Sequence, residues 1–314
     1  IFQGNKKKRN YFEGWYFKVV TSDHQKSFAF IPGISLTKNG QEDHAFIQLL
    51  EGESGAVDVV EFGIDQFYWD SGKFDVYIGD NHFSSEGMTI DLPYRDGRLT
   101  ASITFEQHVP WPSTFLSPGI MGPFGWLTFL ECNHGVINLD SKLSGSMRIN
   151  GVKIDYTNGR GYIEKDWGNS FPSRWIWMQS NHFSQSETSF TFSLATVPMI
   201  GFSFTGLIAG LWYQDRLYKF ATYNGSTADV QVRDSDTVDI ELKRGQYRLE
   251  LKAARNKGGT LKAPTIAGMD RRIMESLDAR IHIKLWKGND LIFDDIGSMG
   301  GLEIVNQTIS EKPA

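Results

Sequence analysis

The residues Gly159-Arg160-Gly161-Tyr162-Ile163-Glu164-Lys165-Asp166-Trp167-Gly168-Asn169-Ser170-Phe171-Pro172 gather two carboxyls, a phenol and an indole into one short stretch. In an extended chain alternate residues share a face. Tyr162, Glu164 and Asp166 would then stand together, with Lys165 and Trp167 on the other side. Two carboxylates on one face oppose each other's ionisation, so one can keep its proton near neutral pH. That proton makes a general acid, and the second carboxylate serves as counter-charge or base. Glycines on both sides permit tight turns or close approach of a ligand. The same stretch also fits an ion-pair network with Arg160, Lys165 and Arg174. On the residues alone both readings stand.

Two aromatic-rich strands supply neighbours for such an acid. In Arg174 to Phe183, one face carries Trp175, Trp177, Gln179, Asn181 and Phe183, and the other carries Ile176, Met178, Ser180 and His182. Indoles beside amides suit a pocket wall, where apolar surface binds and a few polar groups orient the ligand. They also suit a barrel core with satisfied amides. In Tyr11 to Phe17, one face carries Tyr11, Glu13, Trp15 and Phe17. A carboxyl among rings is poorly solvated, which raises its pKa and makes Glu13 a further candidate acid. The alternative is a Glu13 that pairs with a lysine or caps a sheet edge.

Other chemistry is thinly represented. Glu131-Cys132-Asn133-His134 offers metal-ligand types, but no second cluster has matching spacing, so no metal site is expected. His108, His134 and His182 read as structural histidines, and Cys132 as an inert thiol. No phosphate-binding loop, dinucleotide fingerprint, nucleophile elbow or zinc-protease helix is present.

The elements that must position these residues are short strands. Val238, Ile240 and Leu242 alternate with polar residues, Lys243-Arg244-Gly245-Gln246 turns the chain, and Tyr247, Leu249 and Leu251 resume the alternation. Phe74–Ile78, Thr100–Phe105, Ile281–Leu285 and Leu291–Phe293 read the same way. Many short strands at regular spacing predict an all-β sandwich or barrel. One helix is expected, on the apolar stripe Met269, Ile273, Met274 and Leu277. Each aromatic strand opens one half of the chain, and the turn dipeptides Asn150-Gly151 and Asn158-Gly159 mark a boundary between them. The expected domains are residues 11–155 and 156–305.

Two stretches lack Asp, Glu, Lys and Arg: Gln107 to Leu130 and Thr188 to Gln214. The second is long enough to span a bilayer, but Phe190, Phe192 and Leu194 alternate with Ser189, Thr191 and Ser193. Period two means strands, here separated by a turn at Pro198 to Gly201. The first is broken by Pro110, Pro112, Pro118 and Pro123 and reads as an apolar loop entering a strand. No transmembrane segment is expected, and membrane contact is confined to peripheral attachment.

The chain is 40% hydrophobic and 22% charged, a globular balance that excludes disorder as its main state. A net charge of −5 gives no field to recruit nucleic acid. The basic run Lys6, Lys7, Lys8 and Arg9 is expected to be solvated; no apolar segment follows it as a signal peptide would require. The chain starts at Ile1, so its beginning is left open. A single cysteine allows no internal disulfide and fits a cytoplasmic location.

Several of these motifs resemble those of the tocopherol cyclase family. They are Tyr11-Phe12-Glu13-Gly14-Trp15-Tyr16-Phe17-Lys18, Ser117-Pro118-Gly119-Ile120-Met121-Gly122, Glu131-Cys132-Asn133-His134-Gly135, Gly159 to Pro172, and Trp175 to Asn181. They occur in the family's order, and the match runs from Tyr11 to Gly301-Leu302-Glu303. The resemblance implies two lipocalin-like β-barrels in tandem and a relation to isoprenoid hydratases. It implies an acid-catalysed cyclisation of a prenylated quinol or similar isoprenoid to a chromanol-type ring, with no cofactor. A proton goes to the alkene, a tertiary cation forms, and the phenol oxygen traps it. Such chemistry asks for a protonated acid, a dry pocket and π faces. Glu164 or Asp166 would be the acid, with Glu13 a further candidate. Trp15, Tyr162, Trp167, Trp175 and Trp177 would bind the apolar small molecule, and Gln179 and Asn181 would orient its hydroxyls. The alternatives are a carrier for an unchanged isoprenoid and a hydratase that adds water to the double bond.

Overall fold

The computed structural model describes residues 1–4, 9–127, 130–199, 202–265 and 268–308; Lys6, Lys7, Lys8 and Gly201 lie outside them. The chain forms strands almost throughout. In the first half they are β1 (Tyr11–Val20), β2 (Ser27–Leu36), β3 (His44–Glu51), β4 (Val57–Gly63), β5 (Phe67–Trp69), β6 (Asp75–Ile78), β7 (Asn81–Ser84), β8 (Gly87–Tyr94), β9 (Gly97–Glu106), β10 (Cys132–Ile149), β11 (Val152–Asp155) and β12 (Arg160–Gly168). In the second half they are β13 (Arg174–Ser180), β14 (Ser189–Met199), β15 (Phe202–Tyr213), β16 (Arg216–Ala221), β17 (Thr227–Val232), β18 (Thr237–Arg244), β19 (Tyr247–Ala254), β20 (Gly259–Thr265), β21 (Gly268–Lys287) and β22 (Asp290–Val305).

The two halves repeat one topology. The first antiparallel sheet runs β4-β3-β2-β1-β12-β10-β9-β8-β7-β6-β5, with β11 added to β10. The second runs β16-β15-β14-β13-β22-β21-β19-β18-β17, with β20 added to β21. In each sheet the last strand returns to pair with the first. The two edge strands are consecutive in the chain, joined by one 3-10 turn: Ile64–Gln66 between β4 and β5, Thr222–Asn224 between β16 and β17. Each sheet therefore curls until its edges meet across a covalent link, which leaves little edge for pairing with another chain. The result is two lipocalin-like β units in tandem.

Alternation of apolar and polar residues explains the strands. In β18 and β19, Val238, Ile240, Leu242, Leu249, Leu251 and Ala253 are buried on one face, and Gly245 takes φ +55 at the turn between them. Trp15, Phe17, Phe28, Phe30 and Phe83 belong to the core inside the first sheet. Ile176, Met178, Phe190, Phe192 and Ile281 belong to the core inside the second. A third apolar cluster, with Tyr16, Tyr162, Trp175, Trp177, Leu261 and Ile273, lies between the sheets. Each unit thus packs its inner face on itself and turns part of its outer face to its twin.

One expectation is corrected. Met269 to Leu277 is not helical but lies within β21, where Ile273, Glu275, Leu277 and Ala279 are buried. The alternation of a strand was hidden because Glu275 occupies an apolar position, and a register shift follows between Ser276 and Ala279. The strand β12 pairs with β1 and β10, so the chain leaves the first sheet only after Gly168 and enters the second at Arg174. Among the described residues no helix is long and apolar enough to cross a membrane.

Phe17 and Phe190 are both fully buried, one in each inner core. Truncating either to Ala should cost about 3–5 kcal/mol. Because the cores are separate, the Phe17→Ala/Phe190→Ala double variant should lose the sum within about 0.5 kcal/mol in denaturant titrations.

Candidate active site

Between the two units lies a cavity of about 310 Å³, a size at the lower end for small-molecule pockets. Its wall is mainly apolar: Phe12, Tyr16, Met121, Phe124, Trp175, Trp177, Phe204 and Ile273 contribute. Into it come Glu164 and Asp166 from β12, His134 from β10, Glu275 from β21 and Glu303 from β22.

Strand register explains this convergence. On β12, Tyr162, Glu164 and Asp166 do share a face. Tyr162 and Glu164 are buried and Asp166 is partly exposed. Glu164 stands opposite Tyr16 of β1 and Val136 of β10. On the second sheet, Glu303 stands opposite Trp177 of β13 and Glu275 of β21. The two glutamates therefore occupy equivalent places on the closing strands of the two units.

Glu164 Oε2 accepts hydrogen bonds from Tyr162 Oη and, at 3.1 Å, from Trp177 Nε1. The Tyr162 hydroxyl also lies 3.2 Å from Thr191 Oγ1. His134 bridges the two carboxyls: Nδ1 is 2.8 Å from Asp166 Oδ1 and Nε2 is 3.7 Å from Glu164 Oε2. Burial raises the Glu164 carboxyl to about 7, against the opposing pull of His134. Burial disfavours the His134 imidazolium, but Asp166 and Glu164 outweigh it and hold the group at about 9. At neutral pH His134 is therefore a cation between two acids.

The second acid group was not foreseen. Glu275 and Glu303 hydrogen-bond to each other. Tyr16 Oη donates to Glu275, and Trp175 Nε1 donates to Glu303. Burial, then the neighbouring Glu303, pushes Glu275 well above the usual carboxyl range. Burial raises Glu303 to about 7.

Among the expected site residues, Glu164, Asp166, Trp175 and Trp177 line the cavity, and Tyr162 supports Glu164 from behind. Others lie elsewhere. Glu13 does not reach the cavity wall. Its carboxylate takes the Lys165 ammonium at 2.6 Å, the Tyr11 hydroxyl at 2.5 Å and the backbone N–H groups of Gln3 and Gly4. Trp15 belongs to the inner core, stacked on Phe74 at 5.6 Å, although part of it touches the cavity. On β1 the face turned to the cavity is that of Tyr16, not that of Glu13 and Trp15. Trp167 packs against the first core with the Lys165 ammonium 4.4 Å from its ring centre. Gln179 and Asn181 share the Trp175–Trp177 face but sit in the polar seam between units. Gln179 accepts from Lys18 Nζ at 2.8 Å; Asn181 donates to Asp140 and to the Gly161 carbonyl. Two basic residues of the ion-pair alternative are engaged elsewhere, Lys165 with Glu13 and Arg160 with Asp140. His134, read as structural, is part of the site. His108 is structural as expected, held by Asn138 and Ser141. Burial raises the Cys132 thiol well above its ordinary value, in line with an inert residue.

The chain is similar to known proteins over most of its length. Residues 103–305 match a family described as tocopherol cyclase-like. Over 94% of this chain and 75% of its own length, the chloroplastic tocopherol cyclase of Zea mays is 23% identical. Two solved structures share the fold. CghA with Sch210972 gives a TM-score of 0.61 at 9% identity, covering 94% of this chain and 88% of that one. Kievitone hydratase from Nectria haematococca gives 0.54 at 14% identity, covering 97% and 92%.

The raised carboxyls tie stability to pH. A buried acid raised from 4.5 to about 7 contributes fully below its unfolded value and loses that contribution as pH climbs through 7. The melting temperature should therefore fall between about pH 5 and 8. In Glu303→Gln that fall should be shallower, as scanning calorimetry across this range would reveal.

Proposed function

The chain belongs to the tocopherol cyclase-like family, and from that premise we propose that it protonates an isoprenoid double bond and lets an oxygen close on the resulting cation. The observation that carries this reading is Glu164, a buried carboxyl raised to about 7 in the wall of an apolar cavity. Such a group holds a proton near neutrality and can release it where water does not compete. Once released, the anion has Tyr162 Oη, Trp177 Nε1 and the His134 cation beside it. The π faces of Tyr16, Trp175 and Trp177 border the same cavity, and aromatic faces stabilise a cation.

The substrate class that fits is a prenylated quinol, whose alkene and phenol lie in one molecule. The C–H bond forms from the Glu164 proton, the C–O bond forms from the phenol oxygen, and the phenol proton leaves. The product is an isomeric chromanol, and no electron is gained or lost. Hydration of the same alkene would add the mass of a water, and carriage would return the molecule unchanged; mass spectrometry of the product separates all three. Glu164→Gln should lower turnover by about 10²–10⁴-fold, and Asp166→Asn should also abolish most of it. Both variants should still quench tryptophan fluorescence on binding. In the wild type, the rate should fall as pH rises through about 7, because Glu164 then loses its proton. Full activity in both amide variants would refute the assignment.

A lipid-soluble substrate reaches this cavity most directly from a bilayer. The uncharged loop before β10 turns Met121, Phe124, Leu127 and Leu130 to the cavity and exposes Phe115 (82%), Leu116 (76%) and Trp126 (57%). Phe124 contacts Phe204 of the uncharged hairpin β14–β15, with ring centres 5.7 Å apart. The two uncharged stretches thus meet beside the cavity. Peripheral attachment through this face predicts binding to phosphatidylcholine vesicles that added salt does not abolish. A Phe115→Ser/Trp126→Ser variant should bind at least about tenfold more weakly in vesicle sedimentation, since each ring contributes apolar burial.

A further inference from the structure

Protonation of an alkene explains only half of an addition. The attacking oxygen, whether of phenol or of water, must lose a proton, and a base must take it. Glu164 is poorly suited to take it, because its anion is held by the Tyr162 and Trp177 donors and the His134 cation, which weaken it as an acceptor. The cavity wall holds a second titratable group that the reading above does not use: Glu275 and Glu303, 1% and 8% exposed.

These residues face each other across β21 and β22, both line the cavity, and their carboxyls lie close enough to share a proton. A carboxyl–carboxylate pair of this kind holds one proton and one negative charge. Losing the shared proton would leave two carboxylates in contact in a dry cavity, which their repulsion forbids. Gaining a proton makes the pair neutral, which the apolar surroundings favour. The pair is therefore a weak donor and a ready acceptor. Glu164 has the opposite bias. Its donors Tyr162 and Trp177 and its cationic neighbour His134 stabilise the anion that remains when its proton leaves.

We propose that the Glu275–Glu303 pair is the base of the reaction, taking the proton of the attacking oxygen at Glu303 while Glu164 gives a proton to the alkene carbon. This rests on the acid-catalysed reading of the cavity. The Glu164 O–H bond breaks and a C–H bond forms; the oxygen lone pair forms the C–O bond to the cation; the O–H bond of that oxygen breaks and its proton goes to the Glu303 carboxylate. No redox partner enters. Exchange with solvent after product release returns Glu164 to the acid and Glu303 to the carboxylate. The negative charge of the pair also faces the cation as it develops. Tyr16, which touches Glu275 rather than the reacting atoms, is a positioning residue.

The test uses the full chain, a methylated benzoquinol with a geranyl side chain, and its ring-fluorinated analogue, whose phenol is more acidic. Glu303→Gln should lower kcat by about 100-fold or more, with affinity by tryptophan quenching unchanged. The fluorinated quinol, which needs less help to lose its proton, should recover about tenfold of that loss in Glu303→Gln. It should recover none in Glu164→Gln. Wild-type rate in Glu303→Gln, or an equal loss with both quinols, would overturn the proposal while leaving the acid role of Glu164 intact. Should Glu303→Gln not fold, Tyr16→Phe gives the same decision. Without the Tyr16 donor the pair binds its proton more tightly, so the acid limb of the kcat profile moves to higher pH; an unmoved limb refutes the role. If wild-type protein converts neither quinol, the acid-catalysed reading fails first. The pair is then judged by infrared titration: a protonated-carboxyl stretch at neutral pH that Glu275→Gln removes supports it, and its absence overturns it.

Discussion

An ionisable carboxyl in an apolar wall must be held by donors, and the rest of this structure depends on that constraint. Leaving such a group unpaired away from water costs several kcal/mol at least, whereas each hydrogen bond to a charged group returns about 1.5–3 kcal/mol. Two of the donors come from the opposite unit. Trp177 of the second unit reaches Glu164 of the first, and Tyr16 of the first reaches Glu275 of the second. Each acid is therefore held in part by the unit opposite its own. The seam is reinforced by Gln48 and Lys262, which exchange a pair of backbone-to-amide hydrogen bonds at 2.9 Å, and by Lys18 with Gln179. The geometry of the site and the docking of the two units are thus one problem with one solution.

The doubled topology explains why the cavity opens at the seam rather than inside a barrel. Both inner faces are filled with large side chains, among them Trp15, Phe17 and Phe28 in one and Phe190 and Phe192 in the other. Filling them stabilises each unit but leaves less room for a ligand there. The outer faces of β1, β12, β13 and β22 carry Tyr16, Tyr162, Trp175, Trp177 and Val305 among polar residues, and this apolar part is buried between the units. Where they diverge, a cavity opens that neither unit encloses by itself. A lipocalin-like fold ordinarily suggests a cavity inside the barrel; here the arrangement of aromatic residues on alternate faces leaves it outside.

Much of the fold was legible because strand alternation is a local property. The hairpin of Val238 to Leu251, the strands around Phe190 and Phe204, and the shared face of Tyr162, Glu164 and Asp166 follow from period two alone. The misreadings arise where a face is buried on both sides. Along β1, every residue from Tyr11 to Val20 except Gly14 is buried, so periodicity could not say whether the Trp15 or the Tyr16 face meets the ligand. The Glu13 and Trp15 side chains lie one residue away from the Tyr16 face, which on a strand means the opposite side of the sheet. His134 and Glu303 were missed for a different reason. Their importance lies in pairing with residues distant in sequence, and register between far strands is a tertiary fact.

Glu275 is the most instructive of these. Its presence at an apolar position of β21 made the segment from Met269 to Leu277 resemble a helical stripe, because a charged residue seemed to interrupt the strand pattern. The interruption was the signal. A carboxyl at a position that the alternation reserves for an apolar side chain is either a defect in the core or a group kept there for its proton. Glu164 on β12 and Glu303 on β22 break the pattern at equivalent places in the two units, and Glu275 joins Glu303 across one ladder. At the equivalent position opposite Glu164 the first unit has Val136. One unit therefore offers a single acid stabilised as an anion, and the other offers a pair that resists losing its last proton. That asymmetry, built on matching registers, is what the proposed division of acid and base between two similar units rests on.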